Sequence, residues 1–206
     1  MKPARISLFP LDVVLFPSMP LPLHIFEPRY KAMVGRCLDE GTEFGMVFAE
    51  NRSVATIGCT AEITRTIKTY DDGRLDILTE GRAAFRIVEM LHESEYYEAV
   101  VDYLPEDVTP QDPQEEAELT ETFQHCHLLL FGHPFHGCEQ RDPTPLAYRL
   151  GARLPLDLQQ RQGLLEMRNE TDRRAFLLQY TKALLPKLAQ RQISRQRSGG
   201  NGHGIH

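Results

Sequence analysis

Between Phe9 and Tyr30 the chain reads Phe-Pro-Leu-Asp-Val-Val-Leu-Phe-Pro-Ser-Met-Pro-Leu-Pro-Leu-His-Ile-Phe-Glu-Pro-Arg-Tyr, with prolines at 10, 17, 20, 22 and 28. In a helix interior a proline removes a backbone donor and clashes with the preceding turn. Prolines this dense exclude a helix up to Phe26 and leave short extended segments. Pro28 reverses the reading, because the first helical position tolerates proline. Tyr30, Met33, Val34, Cys37 and Leu38 then recur at helical spacing as far as Gly41.

The region from residue 5 to about 104 otherwise reads as strand. Phe44-Gly45-Met46-Val47-Phe48 is a short buried strand, and 57–70 and 74–80 flank a turn at Asp71-Asp72-Gly73. Ile63, Arg65, Ile67 and Thr69 alternate with Thr64, Thr66 and Lys68, which predicts a hairpin with one wet face. Gly81 is expected to break that run before further strands at 84–88 and 96–104. Pro105, Asp107, Pro110, Asp112 and Pro113 form a linker.

Beyond the linker the period becomes helical. Asp112-Pro113-Gln114-Glu115 combines a cap, a first-turn proline and an early acid, and Leu119, Phe123, Cys126 and Leu130 supply a buried stripe. Further helices are predicted over 145–152, 158–167 and 170 to about 190, with Pro186 kinking or ending the last. The organisation is α+β: a β-rich subdomain over 1–110, a helical subdomain over 111–192, and a flexible polar tail over 193–206.

A chain of 206 residues can bury a sizeable core without staples. Cys37, Cys59, Cys126 and Cys138 are scattered and form no C-x-x-C pair, which suits a reducing compartment. Prolines interrupt the apolar N-terminal run, so it does not read as an export signal, and no stretch matches a membrane span. A cytoplasmic protein is expected, with no membrane partner. The net charge of −6 conceals an asymmetry: 87–140 holds thirteen acids and no Lys or Arg, leaving sixteen acids against twenty-three bases elsewhere. Such a balance disfavours nucleic acid as a partner.

The opening segment resembles the start of the substrate-binding N-terminal domain of the ATP-dependent protease Lon, in the form of short standalone bacterial proteins. Two later segments are similar to the same family. One is Ile57-Gly58-Cys59-Thr60-Ala61-Glu62-Ile63 with 72–87, and the other is Leu164-Leu165-Glu166-Met167 with 172–178. The resemblance implies a curved, PUA-like β pseudo-barrel followed by a helical bundle. It also implies a non-catalytic role in holding unfolded or degron-bearing polypeptide for protein quality control or as an adaptor. A separate protease is then a candidate partner, and a homodimer or larger homo-oligomer is expected. The phosphate-cradling G-x-x-x-x-G-K-[ST] motif of an ATPase does not occur, nor does any Gly-Lys pair.

Phe16, Met19, Leu21, Leu23, Phe26 and Tyr30 are the candidate peptide-binding residues, since an unfolded chain offers apolar side chains to a matching surface. No catalytic residue and no cofactor is expected, because no serine or cysteine stands in a nucleophile motif. The competing reading is a metal-dependent hydrolase on the loop carrying His133, His136 and Cys138. Its spacing matches no common ligand pattern, and His125 and His127 diverge on a helix.

Overall fold

The computed structural model describes residues 4–51, 53–91, 95–105, 112–137 and 144–199, the last five without their side chains. Among them lie seven strands and five helices: β1 (Ala4–Leu11), β2 (Pro20–Ile25), α1 (Pro28–Glu40), β3 (Phe44–Glu50), β4 (Ser53–Val54), β5 (Ile57–Thr69), β6 (Leu75–Leu91), β7 (Glu98–Tyr103), α2 (Pro113–Phe131), α3 (Leu146–Gly151), α4 (Leu158–Glu166) and α5 (Glu170–Gly199). The expected α+β class is what this order produces. Two compact units emerge, one from Met1–Glu106 with Pro155–Arg168 and one from Asp107–Leu154 with Asn169–His206.

Unit one is a closed barrel. Its strands run β1-β7-β6-β5-β3, and β3 returns to pair with β1 in parallel, Leu8 opposite Gly45 and Leu11 opposite Phe48. Closure removes most of the open sheet edge that a β-rich unit would otherwise present. Two clusters fill it: Leu8, Val47, Phe85 and Val101 in one, Leu15, Ile25, Met33, Phe44 and Ile77 in the other. α1 covers the second cluster with Tyr30, Met33, Val34 and Cys37, four of the five residues its spacing marked, while the fifth, Leu38, is exposed. α4 belongs to this unit as well, with Gln162 Nε2 donating to the Ile57 carbonyl at 3.1 Å.

Two features of β5 and β6 differ from the alternation in the sequence. β6 runs unbroken through Gly81 for 17 residues, because the missing side chain admits another segment of backbone there. β5 is exposed on both faces from Thr64 to Thr69, as this end extends past the core, and Ile67 stands open to solvent. Gly73, at φ 78°, makes the turn that joins them.

In unit two, α2 starts on Asp112, whose side chain accepts from the Gln114 N–H, and buries Leu119, Phe123, Cys126 and His127. The acids of α2 find their counter-charges on α5: Glu116 pairs with Arg174 at 2.8 Å and Glu118 with Lys182 at 2.5 Å. α3 is tied to α5 by a buried network of Glu170, Arg173, Tyr148 and the Ala147 N–H. α5 continues through Pro186 and past Gln190 to Gly199. Its Ala, Leu, Lys, Arg and Gln residues favour helix strongly enough to carry it past one proline. Residues 200–206 lie outside the described residues.

Candidate functional site

The six residues singled out in the sequence all lie in unit one, in three environments. Phe16 is sealed in the core, and the Arg161 guanidinium of α4 sits 5.4 Å above its ring. Tyr30 is also buried, its ring 4.2 Å from that of Phe9 and capped by Arg29. Met19, Leu21 and Leu23 are half-buried against the second core cluster. Phe26 is open to solvent, at 59 % exposure.

Pairing explains this division. β2 lies antiparallel on β6, with Leu21 opposite Thr79, Leu23 opposite Ile77 and Ile25 opposite Leu75. That parity sends Leu21, Leu23 and Ile25 inward and Pro20, Pro22 and His24 outward. β6 is the partner of β2 among the described strands, so β2 forms an edge. Pro20 and Pro22 lack N–H groups and deny that edge two donors, which discourages a further strand from pairing there.

The outward face carries a polar and aromatic cluster. His24, Asp76 and Lys68 lie in one cross-strand row. Asp76 accepts from His24 Nδ1 at 2.5 Å and from the Tyr70 hydroxyl at 2.8 Å. These bonds, His24 first, hold its carboxyl below the usual range, and the same contact pushes the Tyr70 phenol up. Lys68 Nζ lies 4.3 Å and the Arg74 guanidinium 4.9 Å from the Tyr70 ring centre. The His24 ring stacks on Phe26 at 6.0 Å and meets Tyr70 edge-on at 5.9 Å. Lys31 Nζ donates to the Asp72 carbonyl at 2.9 Å, tying α1 to the hairpin turn. Phe26 thus stands at the end of a three-ring row flanked by two cations.

Sequence reading did not assemble His24, Tyr70 and Asp76. Tyr70 lies 46 and Asp76 52 positions after His24, which hides the register, and only the hairpin parity offered a hint. Glu27 occupies the cap position of α1 but makes no cap bond; its carboxylate pairs with Arg29 at 2.9 Å. This polar pair includes no nucleophile.

The competing metal reading rests on His133, His136 and Cys138. His127 is buried and donates from Nδ1 to the His133 carbonyl at 2.9 Å, while His133 and His136 are exposed. Cys138 lies outside the described residues. Among the described residues no group of three or more His, Cys, Asp or Glu side chains could hold a metal ion. No described helix is long and apolar enough to cross a membrane.

The family model of the ATP-dependent protease La (Lon) substrate-binding domain matches residues 5–183. The chain belongs to this family. The Lon protease of Escherichia coli K12 is 25 % identical over 189 residues, covering 84 % of this chain and 24 % of that protein. Lon protease 2 of Syntrophobacter fumaroxidans is 24 % identical over 179 residues, covering 80 % and 22 %. The chain therefore spans about a quarter of the length of these curated relatives. A Lon N-terminal domain protein of Xanthomonas campestris superimposes with a TM-score of 0.67 at 25 % identity, over 86 % of this chain and 98 % of that one. The N-terminal domain of a Mycobacterium avium complex Lon protease gives the same TM-score at 17 % identity, a likeness of fold, over 87 % and 98 %. The substrate-binding family expected from the opening motif is thereby established.

Proposed function

We propose that this protein holds unfolded or degron-bearing polypeptide in the cytoplasm without performing chemistry, as a quality-control or adaptor module. Membership of a substrate-binding family supports the binding role. The observation that carries the location is Phe26, exposed and braced by His24 and Tyr70 on an outward face of unit one. A pre-ordered aromatic side chain loses little entropy when it is covered, so burying it gains most of its apolar transfer energy. Lys68 and Arg74 flank the row and attract carbonyl and carboxylate groups of a client. Met19, Leu21 and Leu23 set the position of β2 from beneath, and Phe16 and Tyr30 hold the core under it. Contact with the client is through side chains, since the prolines of β2 discourage strand addition. A separate protease would receive the client, and self-association would multiply weak sites.

Titration of the full chain with a fluorescent, reduced and permanently unfolded protein tests the reading. Saturable binding is expected, absent for the same client in its folded, oxidised form. Equal signals from both forms, or none from either, would overturn it.

A further inference from the structure

The end of the barrel where β1 begins and α1 finishes opens into a cleft of about 630 Å³, within the size range of small-ligand sites. Its charged lining is Arg5, Arg36, Arg82, Glu40, Glu43 and Glu98. Glu98 is the most deeply placed of them. Its side chain is 4 % exposed, bonded to Arg5 at 2.7 Å and 3.7 Å from Arg36. Arg36 also pairs with Glu40 at 3.1 Å, and Arg82 with Glu62 at 2.5 Å and Glu80 at 2.7 Å.

Every guanidinium in the cleft is therefore already matched. The lining itself holds three carboxylates and three guanidiniums, and because Glu62 and Glu80, the partners of Arg82, stand outside it, Glu43 is left among the described residues as the lining carboxylate without an ion pair. An anion entering here would have to displace an existing ion pair to reach a guanidinium. A cation that settles on Glu43 displaces no ion pair, although it does so within electrostatic reach of Arg82. Glu43 is where it would settle, because among the described residues this carboxylate makes no ion pair and no hydrogen bond. The Tyr103 hydroxyl lies within electrostatic reach of Glu43 and likewise makes no hydrogen bond. Ala4, Ala83 and the Tyr103 ring supply apolar wall beside these two polar groups.

We propose that this cleft binds a primary ammonium group carried on an apolar stem, with Glu43 as its counter-ion and the Tyr103 oxygen as a second acceptor. In a polypeptide that chemistry has two sources, a lysine side chain and a free α-amino terminus. The inference rests on the polypeptide-binding reading only for this source; the Glu43 carboxylate without an ion pair is independent of it. It adds a selectivity that an aromatic surface lacks, a preference for clients by charge.

Three short peptides of one sequence test it against the isotopically labelled full chain by NMR titration. One is N-acetylated and contains lysine, one is N-acetylated with norleucine in place of lysine, and one has norleucine and a free amino terminus. Expected are saturable shifts at Glu43, Tyr103 and Arg5 with the lysine peptide, the free-terminus peptide or both, and none with the acetylated norleucine peptide. Which ammonium peptide binds identifies the source. Glu43→Gln should weaken that binding by about fivefold or more, and Tyr103→Phe by less. Raised salt should weaken it too. Equal shifts from all three peptides, no shifts from any, or unchanged affinity in Glu43→Gln would overturn the proposal. Unfolded-client binding that persists while the cleft fails, or the reverse, separates this inference from the proposed function.

Discussion

A Cβ built on Gly81 would stand 2.1 Å from the carbonyl oxygen of Phe16. The two segments touch because Ser18 N–H donates to the Gly81 carbonyl at 2.8 Å and Gly81 N–H to the Met19 carbonyl at 3.0 Å. The loop that leads into β2 is thus pressed against β6 at the one residue that leaves room for it. Gly81→Ala must push backbone from backbone, which no rotamer change relieves. The expected cost is at least the ~1–3 kcal/mol of an overpacked core. A lowered urea midpoint with an unchanged slope is the outcome to look for; a midpoint equal to the parent's would show that the loop yields freely.

Much of the fold was legible because periodicity and caps are local. The Pro28 start of α1, the Asp112 cap of α2 and the turn at Gly73 all stand where the residues place them. Gly81 was not legible, since a glycine that admits a distant backbone looks in sequence like one that ends a strand. α4 was legible as a helix, but its partners were not, because a 9-residue helix says nothing about which neighbour its stripe will meet. The candidate face was half visible. Its apolar residues stood out in the opening motif, whereas exposure depended on how the segments flanking β2 pack, which leaves Phe26 outside and Phe16 inside.

That difference between two phenylalanines gives a paired test. Phe26→Ser removes an exposed ring and should change stability by no more than about 0.5 kcal/mol. It should weaken unfolded-client binding about tenfold, the equivalent of covering one aromatic side chain less completely. Phe16→Ser should instead destabilise unit one by about 3–5 kcal/mol, as core aromatic truncations do. Denaturant melts and client titrations on both variants decide the matter. A Phe26→Ser protein that binds as tightly as the parent would place the grip elsewhere.

Arg173 is 2 % exposed, an uncommon setting for a guanidinium, and α3 and α5 are organised around it. It bonds Glu170 at 3.0 Å and the Tyr148 hydroxyl at 3.0 Å, while Glu170 also accepts from the Ala147 N–H at 2.9 Å. Arg173→Met leaves Glu170 buried with one fewer partner, and the loss of a buried pair costs ~3–5 kcal/mol. Arg174, 2.9 Å from Glu170, retains part of the compensation, so the lower end is expected. Arg173→Lys should recover little, because an ammonium cannot reach carboxylate and hydroxyl through one planar fork. The loss should appear in the helical far-UV transition. A Lys variant as stable as the parent would argue against the geometry of that fork.

Asp76 supplies a pH dependence whose sign can be worked out. Hydrogen bonds from His24 and then Tyr70 lower its carboxyl in the folded protein. A carboxyl lowered on folding stabilises the native state once it is ionised in both states, that is, above the unfolded value of about 3.9. The contribution fades as pH falls below that value and is gone once pH has passed through the lowered native one. In Asp76→Asn this contribution is absent at every pH. The stability gap between parent and variant should therefore close progressively as the pH falls below about 4. Paired urea melts at half-unit steps from pH 7 to pH 3 measure that gap directly. Salt should narrow it, since His24, Tyr70 and Asp76 all meet solvent. A gap that widens as the pH falls from about 4 to 3 would mean that the native carboxyl is raised, and with it that His24 and Tyr70 do not hold Asp76 ionised.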